Sequence, residues 1–165
     1  MRLFLLSLGL MLIGVWLNIV FNNYVQIGGL KINWILIFML ILAFRHSKLV
    51  IGFVGILAGL TMDALSHGIM GLYGTSFFLT LLLISHLNKL FYANTFFAVS
   101  LAVFFMSSFE GWISLSILGM FEPGFELSSH LLTLTLPLAL LQGLMTPIIL
   151  QFVIWSENLF LRDVA

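Results

Sequence analysis

The chain has 165 residues, of which 62% are hydrophobic and only 7% are charged, against roughly 25% charged in a soluble globular protein. A water-soluble globule is therefore excluded, because too few charges are available to solvate an exterior. The six basic and six acidic side chains balance, which argues against nucleic-acid binding. The sequence contains no cysteine, so disulfides and thiolate metal sites are excluded as well.

Long apolar runs without alternating polarity predict an all-α, polytopic membrane protein with a single transmembrane domain over residues 1–165. We predict six transmembrane helices, at residues 3–21, 32–44, 49–66, 69–87, 95–118 and 127–155. The first follows Met1-Arg2 and lacks an Ala-x-Ala cleavage site, so we expect a retained helix rather than a signal peptide. The second is short, at about 20 Å.

The last two spans contain residues that disturb helices. We expect Glu110-Gly111 to interrupt the fifth span, and Pro137 and Pro147 to kink the sixth. The sixth span also carries a thin polar stripe, which we interpret as interhelical hydrogen bonding or, alternatively, as a substrate path. The stripe comprises Thr135, Gln142, Thr146 and Gln151. Four tryptophans near predicted span ends are typical of aromatic belts: Trp16, Trp34, Trp112 and Trp155.

The distribution of basic residues predicts the topology. Five of the six fall on the side of the membrane that holds both termini, and they are Arg2, Arg45, Lys48, Lys89 and Arg162. The opposite side has Lys31 alone. Under the positive-inside rule both termini are cytoplasmic, in agreement with an even number of crossings.

A stripe of small and polar residues runs along the third span. Gly55, Gly59, Asp63 and His67 recur every four residues on one helix face. We interpret these two glycines, together with Gly52, as positions of close helix packing or partner contact. Two interpretations of Asp63 stay open, because an ionised side chain is costly in hydrocarbon unless it is paired. It caps the following turn, or it forms with His67 a ligand-binding or proton-handling site.

Glu110 is the second acidic candidate. It lies in the outer half of the fifth span, next to Ser107, Ser108 and Gly111. We interpret it either as a polar anchor at the membrane interface or as part of a pocket shared with Asp63 and His67.

The sequence matches no enzyme template, so we predict no catalytic activity, cofactor or metal. Intramembrane aspartyl proteases need two aspartates at membrane level, and besides Asp63 the only aspartate is Asp163 in the tail. The four histidines, at 46, 67, 86 and 130, lack the His-Glu-x-x-His spacing of zinc proteases.

One group of residues carries a family resemblance. It consists of Lys31-Ile32-Asn33-Trp34, the turn Arg45-His46, and Gly52-Phe53, Gly59, Asp63, Gly68 and Gly71. With these residues the chain resembles the rod shape-determining protein MreD family. The length, six spans and cytoplasmic termini match that family along the whole chain, while the motif covers about residues 30–75. The family often has a proline where this sequence has Ile32.

The resemblance implies a non-catalytic scaffold of the bacterial cell-elongation complex, the elongasome, in the cytoplasmic (inner) membrane. Such a subunit binds MreC directly and helps to organise peptidoglycan synthesis and cell shape. Through MreC it associates with MreB, RodA and a penicillin-binding transpeptidase. Asn33 and Trp34 join the glycines as candidate packing or partner positions.

The same resemblance supplies an alternative function. The MreD family is similar in fold to the membrane substrate-binding subunits of energy-coupling-factor transporters. The chain would then be a small-molecule-binding transporter subunit, with a pocket that opens outward near Asp63, His67 and Glu110.

Overall fold

The computed structural model describes residues 2–24, 30–45, 48–66, 69–87, 96–121 and 130–161. Within these ranges it contains six α-helices and one short π-helix, and no β-strand. The α-helices are α1 (Arg2–Tyr24), α2 (Trp34–Arg45), α3 (Lys48–Ser66), α4 (Leu72–Leu87), α5 (Phe96–Phe121) and α6 (Leu136–Leu161). The π-helix (Leu131–Thr135) leads directly into α6. The all-α fold class is therefore confirmed.

Three helical stretches are long and apolar enough to cross a membrane: Phe4–Phe21, Phe96–Phe121 and Leu131–Leu159. The other three are equally apolar in character but shorter, at Trp34–Arg45, Gly52–Ser66 and Leu72–Ile84. These helices fit a helical membrane protein. Six membrane crossings stay a prediction.

The short helix α2 lies at the centre of the bundle. Its residues from Trp34 to Phe44 are all buried, and it contacts α1, α3, α4, α5 and α6. A helix that is apolar on every side is stable where every side is covered. Its 12 residues extend only about 18 Å, but the neighbouring helices cover that length. The shortness of α2 is therefore compatible with its central position, where other helices cover it.

The start of α2 is fixed by Asn33. Its side-chain Oδ1 accepts a hydrogen bond from the backbone N–H of Leu36 at 3.2 Å, which satisfies one of the free donors at a helix N-terminus. The adjacent Trp34 packs edge-on against Phe21, with ring centroids 5.0 Å apart. Trp34 is only 8% exposed, so the aromatic-belt prediction is wrong for this residue, because it opens a helix that other helices surround. Trp16, Trp112 and Trp155 are exposed.

Helix α4 begins three residues later than predicted. Gly71 has a φ of 94°, a left-handed conformation that glycine adopts without steric cost. The N–H of Leu72 bonds to the carbonyl of Ile69 at 3.2 Å, closing a turn just before the helix. Ile69 therefore belongs to the turn between α3 and α4.

The predicted interruption of the fifth span at Glu110-Gly111 is wrong, because α5 is continuous through both residues. Gly111 has a packing role instead. A Cβ added at this position would collide with the side chain of Thr135 in the π-helix. The glycine therefore lets the π-helix approach α5 closely without breaking the helix that contains it.

The kinks at Pro137 and Pro147 stay predictions, and just before Pro137 the chain forms the π-helix. The N–H of Leu136 bonds to the carbonyl of Leu131, five residues earlier. Pro137 follows at once, and a proline lacks the N–H of a regular helix while its ring presses on the preceding turn. Pro137 is the second residue of α6, and the first turn of a helix tolerates proline. Pro147 lies inside α6.

An ion pair joins the end of α2 to α6. The Arg45 Nε donates to Glu157 Oε1 at 3.0 Å and to Oε2 at 2.7 Å. The Glu157 side chain is 7% exposed and that of Arg45 38%. The guanidinium thus compensates a carboxylate that is almost fully removed from solvent.

We expect Arg45→Ala to lower the free energy of unfolding by about 1–3 kcal/mol, between the values for exposed and buried ion pairs. The reason is that the Glu157 carboxylate stays buried after its guanidinium is removed. Thermal unfolding in detergent measures the effect.

The matched control is the double variant Arg45→Ala/Glu157→Gln, which removes the buried charge as well. It should be more stable than Arg45→Ala alone. A double variant less stable than the single one would contradict this account of the pair.

Candidate functional site

The glycine stripe of α3 faces α4 at two of its three positions. A Cβ at Gly59 would lie 2.6 Å from the Gly74 Cα and 2.7 Å from the Tyr73 carbonyl oxygen, both backbone atoms. A Cβ at Gly55 would collide with the side chain of Leu81. A Cβ at Gly52 would meet no atom within 4 Å, so Gly52 makes no close helix contact within the chain, and its role in partner contact stays a prediction. The seam between α3 and α4 is therefore made by Gly55 and Gly59.

Asp63 continues this seam and caps α4. Its Oδ1 accepts the backbone N–H of Tyr73 at 2.8 Å, and its Oδ2 accepts that of Gly74 at 3.0 Å. The first N–H groups of a helix lack partners within the helix and favour a negative charge. Asp63, 4% exposed, supplies both from the neighbouring helix. Its predicted neighbour His67 lies outside the described residues.

Glu110 ties α5 to α4 one turn further along. The hydroxyls of Ser76 and Ser114 both donate to its Oε1, at 3.1 Å and 2.8 Å. Its side chain is buried at 8% exposure. The two acids therefore bind different groups of α4: Asp63 holds the backbone of its first turn, and Glu110 holds a side chain.

A cavity of about 730 Å³ lies at the end of the bundle where α2 begins. This volume falls within the roughly 300–1,000 Å³ of small-molecule sites. Its walls come from α1, residues 31–33 just before α2, α3, α4, α5, the π-helix and α6. Polar lining residues include Asn18, Lys31, Asn33, Ser107, Glu110 and Gln142. Of the two predicted acids, Glu110 lines this cavity and Asp63 is not among its lining residues.

Two cavity residues carry polar atoms that are not satisfied. Ser107 Oγ and Gln142 Oε1 are buried and have no hydrogen-bond partner in the part of the chain that the structure describes. Such an atom costs about 1–3 kcal/mol when it is left without a partner. The sequence signal for Gln142 was the polar stripe of the sixth span, interpreted as interhelical hydrogen bonding or as a substrate path. That interpretation is wrong for Thr146, whose hydroxyl bonds the Gln142 carbonyl of its own helix at 2.8 Å.

The other predicted partner positions, Asn33 and Trp34, are buried at 8% exposure each. Asn33 is used as the cap of α2 and also lines the cavity. Trp34 packs inside the bundle, and its indole Nε1–H has no acceptor among the described residues. Neither side chain forms an exposed surface.

Comparison of the chain with protein-family models, with curated proteins and with solved structures found no match. Helix length and composition define the class as a helical protein suited to a membrane. Membership of the MreD family stays a prediction from the sequence motif.

We expect Gly59→Ala to destabilise the protein, because its Cβ must displace backbone atoms of α4 rather than a flexible side chain. Overpacking of this kind costs about 1–3 kcal/mol. The measurement is the melting temperature and folded yield in detergent. Gly52→Ala is the matched control in the same helix, and we expect no loss, since its Cβ enters open space and alanine favours helix. Equal behaviour of the two variants would contradict the seam.

We also expect a graded series at Asp63. Ala leaves two buried N–H donors without an acceptor, at about 1–3 kcal/mol each. Asn keeps one acceptor oxygen but sets its NH₂ group against the second donor. Stability should therefore fall in the order Asp, Asn, Ala, measured by thermal unfolding. An Ala variant as stable as wild type would show that the cap contributes nothing.

Proposed function

We propose that this chain is an MreD-like, non-catalytic subunit of the bacterial cell-elongation machinery. In this proposal it crosses the inner membrane six times, with both termini in the cytoplasm, and binds MreC directly. Through MreC it helps to organise MreB, RodA and a penicillin-binding transpeptidase during lateral wall growth.

The proposal is supported by the contacts that the motif residues make. Gly59 forms the closest approach between α3 and α4, and both oxygens of Asp63 are taken up by backbone donors of α4. A motif engaged in packing and capping suits a scaffold, because a scaffold requires a fixed shape for its partner rather than a reactive group.

The proposed topology rests on the distribution of basic residues in the sequence, and it assigns the two ends of α2 to opposite sides of the membrane. Lys31 precedes the helix at the cavity end, and Arg45 closes it at the other end. The Arg45 side chain is 38% exposed despite its ion pair. An arginine at the cytoplasmic boundary agrees with the five-to-one distribution of basic residues.

The test is depletion combined with cross-linking in the native host. We expect depletion of the chain to convert rod-shaped cells to round ones, and a functional tagged copy to recover MreC after cross-linking in intact membranes. Gly9→Ala, whose Cβ would meet no atom within 4 Å, should do both, whereas Gly59→Ala should lose both in proportion to its loss of folded protein. Depleted cells that keep their rod shape, with no MreC recovered, would overturn the proposal.

The cavity favours a second candidate, a small-molecule-binding membrane subunit of a transporter. Its volume and polar lining are those of a ligand pocket. The same cross-linking experiment separates the two candidates, because transporter ATPases would be recovered in place of MreC.

A further inference from the structure

The acids within the described ranges are all buried, but their hydrogen bonds follow two patterns. Both oxygens of Asp63 accept backbone N–H groups of α4, and both oxygens of Glu157 accept from the Arg45 guanidinium. Glu110 instead receives two serine hydroxyls on Oε1 alone, and no described residue donates to its Oε2. Among these acids, Glu110 therefore has one oxygen with two donors and one oxygen with none.

This asymmetry is the pattern of a carboxyl group that carries a proton. The oxygens of an ionised carboxylate both act as acceptors, whereas a carboxylic acid has one accepting carbonyl oxygen and one hydroxyl oxygen that donates. In Glu110, Oε1 takes the place of the carbonyl oxygen because it accepts both hydroxyls. Oε2 takes the place of the hydroxyl oxygen.

The charges near the acids agree with this assignment. Glu157 is paired with a guanidinium, and Asp63 lies against the first N–H groups of a helix, which favour a negative charge. No described basic side chain forms an ion pair with Glu110, and its two donors are neutral. Without compensation the ionised form of a buried acid is much more costly than its neutral form. Burial and hydrogen bonding therefore both favour a protonated Glu110.

The free oxygen of Glu110 is accessible from the cavity. Glu110 lines the cavity, and Oε2 is not among the buried polar atoms that lack a partner, so it has accessible surface. The exposed Lys31 lines the same cavity, which therefore reaches the protein surface. Of the other lining residues only Tyr73 of α4 is titratable, and Asp63 of α3 binds the first turn of that helix. The described parts of α2, the π-helix and α6 add no titratable side chain to the walls.

We propose that Glu110 is a proton-binding site, whose Oε2 carries a proton in the folded bundle and exchanges it with water through the cavity. Uptake forms an O–H bond at Oε2 with a proton that hydronium supplies. It neutralises the acid that joins α5 to α4, so acidification strengthens this contact. Release of the proton adds a second negative charge beside the first turn of α4, where Asp63 is already bound. The site is independent of the proposed scaffold function and does not require MreC.

The first experiment measures the melting temperature of the full chain in detergent against pH, for wild type and for Glu110→Gln. The unfolded chain releases this proton above about pH 5, while the folded protein keeps it. The folded state then binds more protons than the unfolded state, so stability falls as pH rises. We expect the wild-type melting temperature to fall by a few degrees, relative to Glu110→Gln, between about pH 5 and about pH 9.

Amide substitution at the two acids should have opposite effects. Glu110→Gln keeps an acceptor for the serine hydroxyls and places an N–H where the acid has its O–H, so at neutral pH it should be at least as stable as wild type. Asp63→Asn is the matched contrast, because both of its oxygens are in use, and it should be less stable. Equal losses at the two positions, or parallel pH curves for wild type and Glu110→Gln, would overturn the proposal.

Infrared spectroscopy of the folded protein observes the proton directly. At neutral pH we expect the C=O stretch of a protonated carboxylic acid in wild type and in Asp63→Asn, and its loss in Glu110→Gln. Transfer to D₂O should shift this band, because the proton exchanges through the cavity. A wild type without the band, or a band that persists in Glu110→Gln, contradicts a protonated Glu110. A band that does not respond to D₂O contradicts the exchange route.

Discussion

The complete burial of α2 determines how the rest of the protein is held together. Apolar packing alone discriminates poorly among helices in a membrane, because lipid tails are as apolar as leucine. A central helix made of apolar residues therefore cannot by itself fix which neighbour lies where. Polar contacts and close glycine approaches supply that information. Two of these contacts lie at the ends of α2, where Asn33 caps one end and Arg45 pairs with Glu157 at the other. Two more, made by Gly59 and Asp63, hold α3 against α4.

The two acids near the start of α4 differ in one respect that separates structure from binding. Both oxygens of Asp63 accept backbone N–H groups, so its hydrogen-bonding capacity is directed at the fold. Glu110 receives both of its hydroxyl donors on a single oxygen and lines the cavity. In the sequence the two residues look alike, because each is an acid on an apolar helix. The difference follows from what the neighbouring helix offers: free N–H groups at a helix start, or serine hydroxyls further along.

Local periodicity predicted the features that depend on a single helix. It could not predict contacts between distant parts of the chain. The four-residue spacing of Gly55, Gly59 and Asp63 placed them on one face, and all three contact α4. Helix α2 is apolar on every side. In a membrane protein that pattern fits a helix surrounded by lipid as well as one surrounded by other helices, so hydropathy could not indicate that α2 is central. For the same reason Trp34 was assigned to a membrane surface. Arg45 and Glu157 are 112 residues apart, and neither helix pattern indicates their pairing.

The cavity is a consequence of irregular helix geometry combined with polar residues that packing alone does not require. The π-helix precedes Pro137, and its last residue, Thr135, lies against Gly111 to form one wall of the cavity. An apolar side chain at Ser107 or Gln142 would fill space and remove an unsatisfied atom, which costs about 1–3 kcal/mol. Packing alone would therefore favour apolar side chains at both positions. The two unsatisfied oxygens make the bundle less stable than such side chains would, and no contact among the described residues compensates for them.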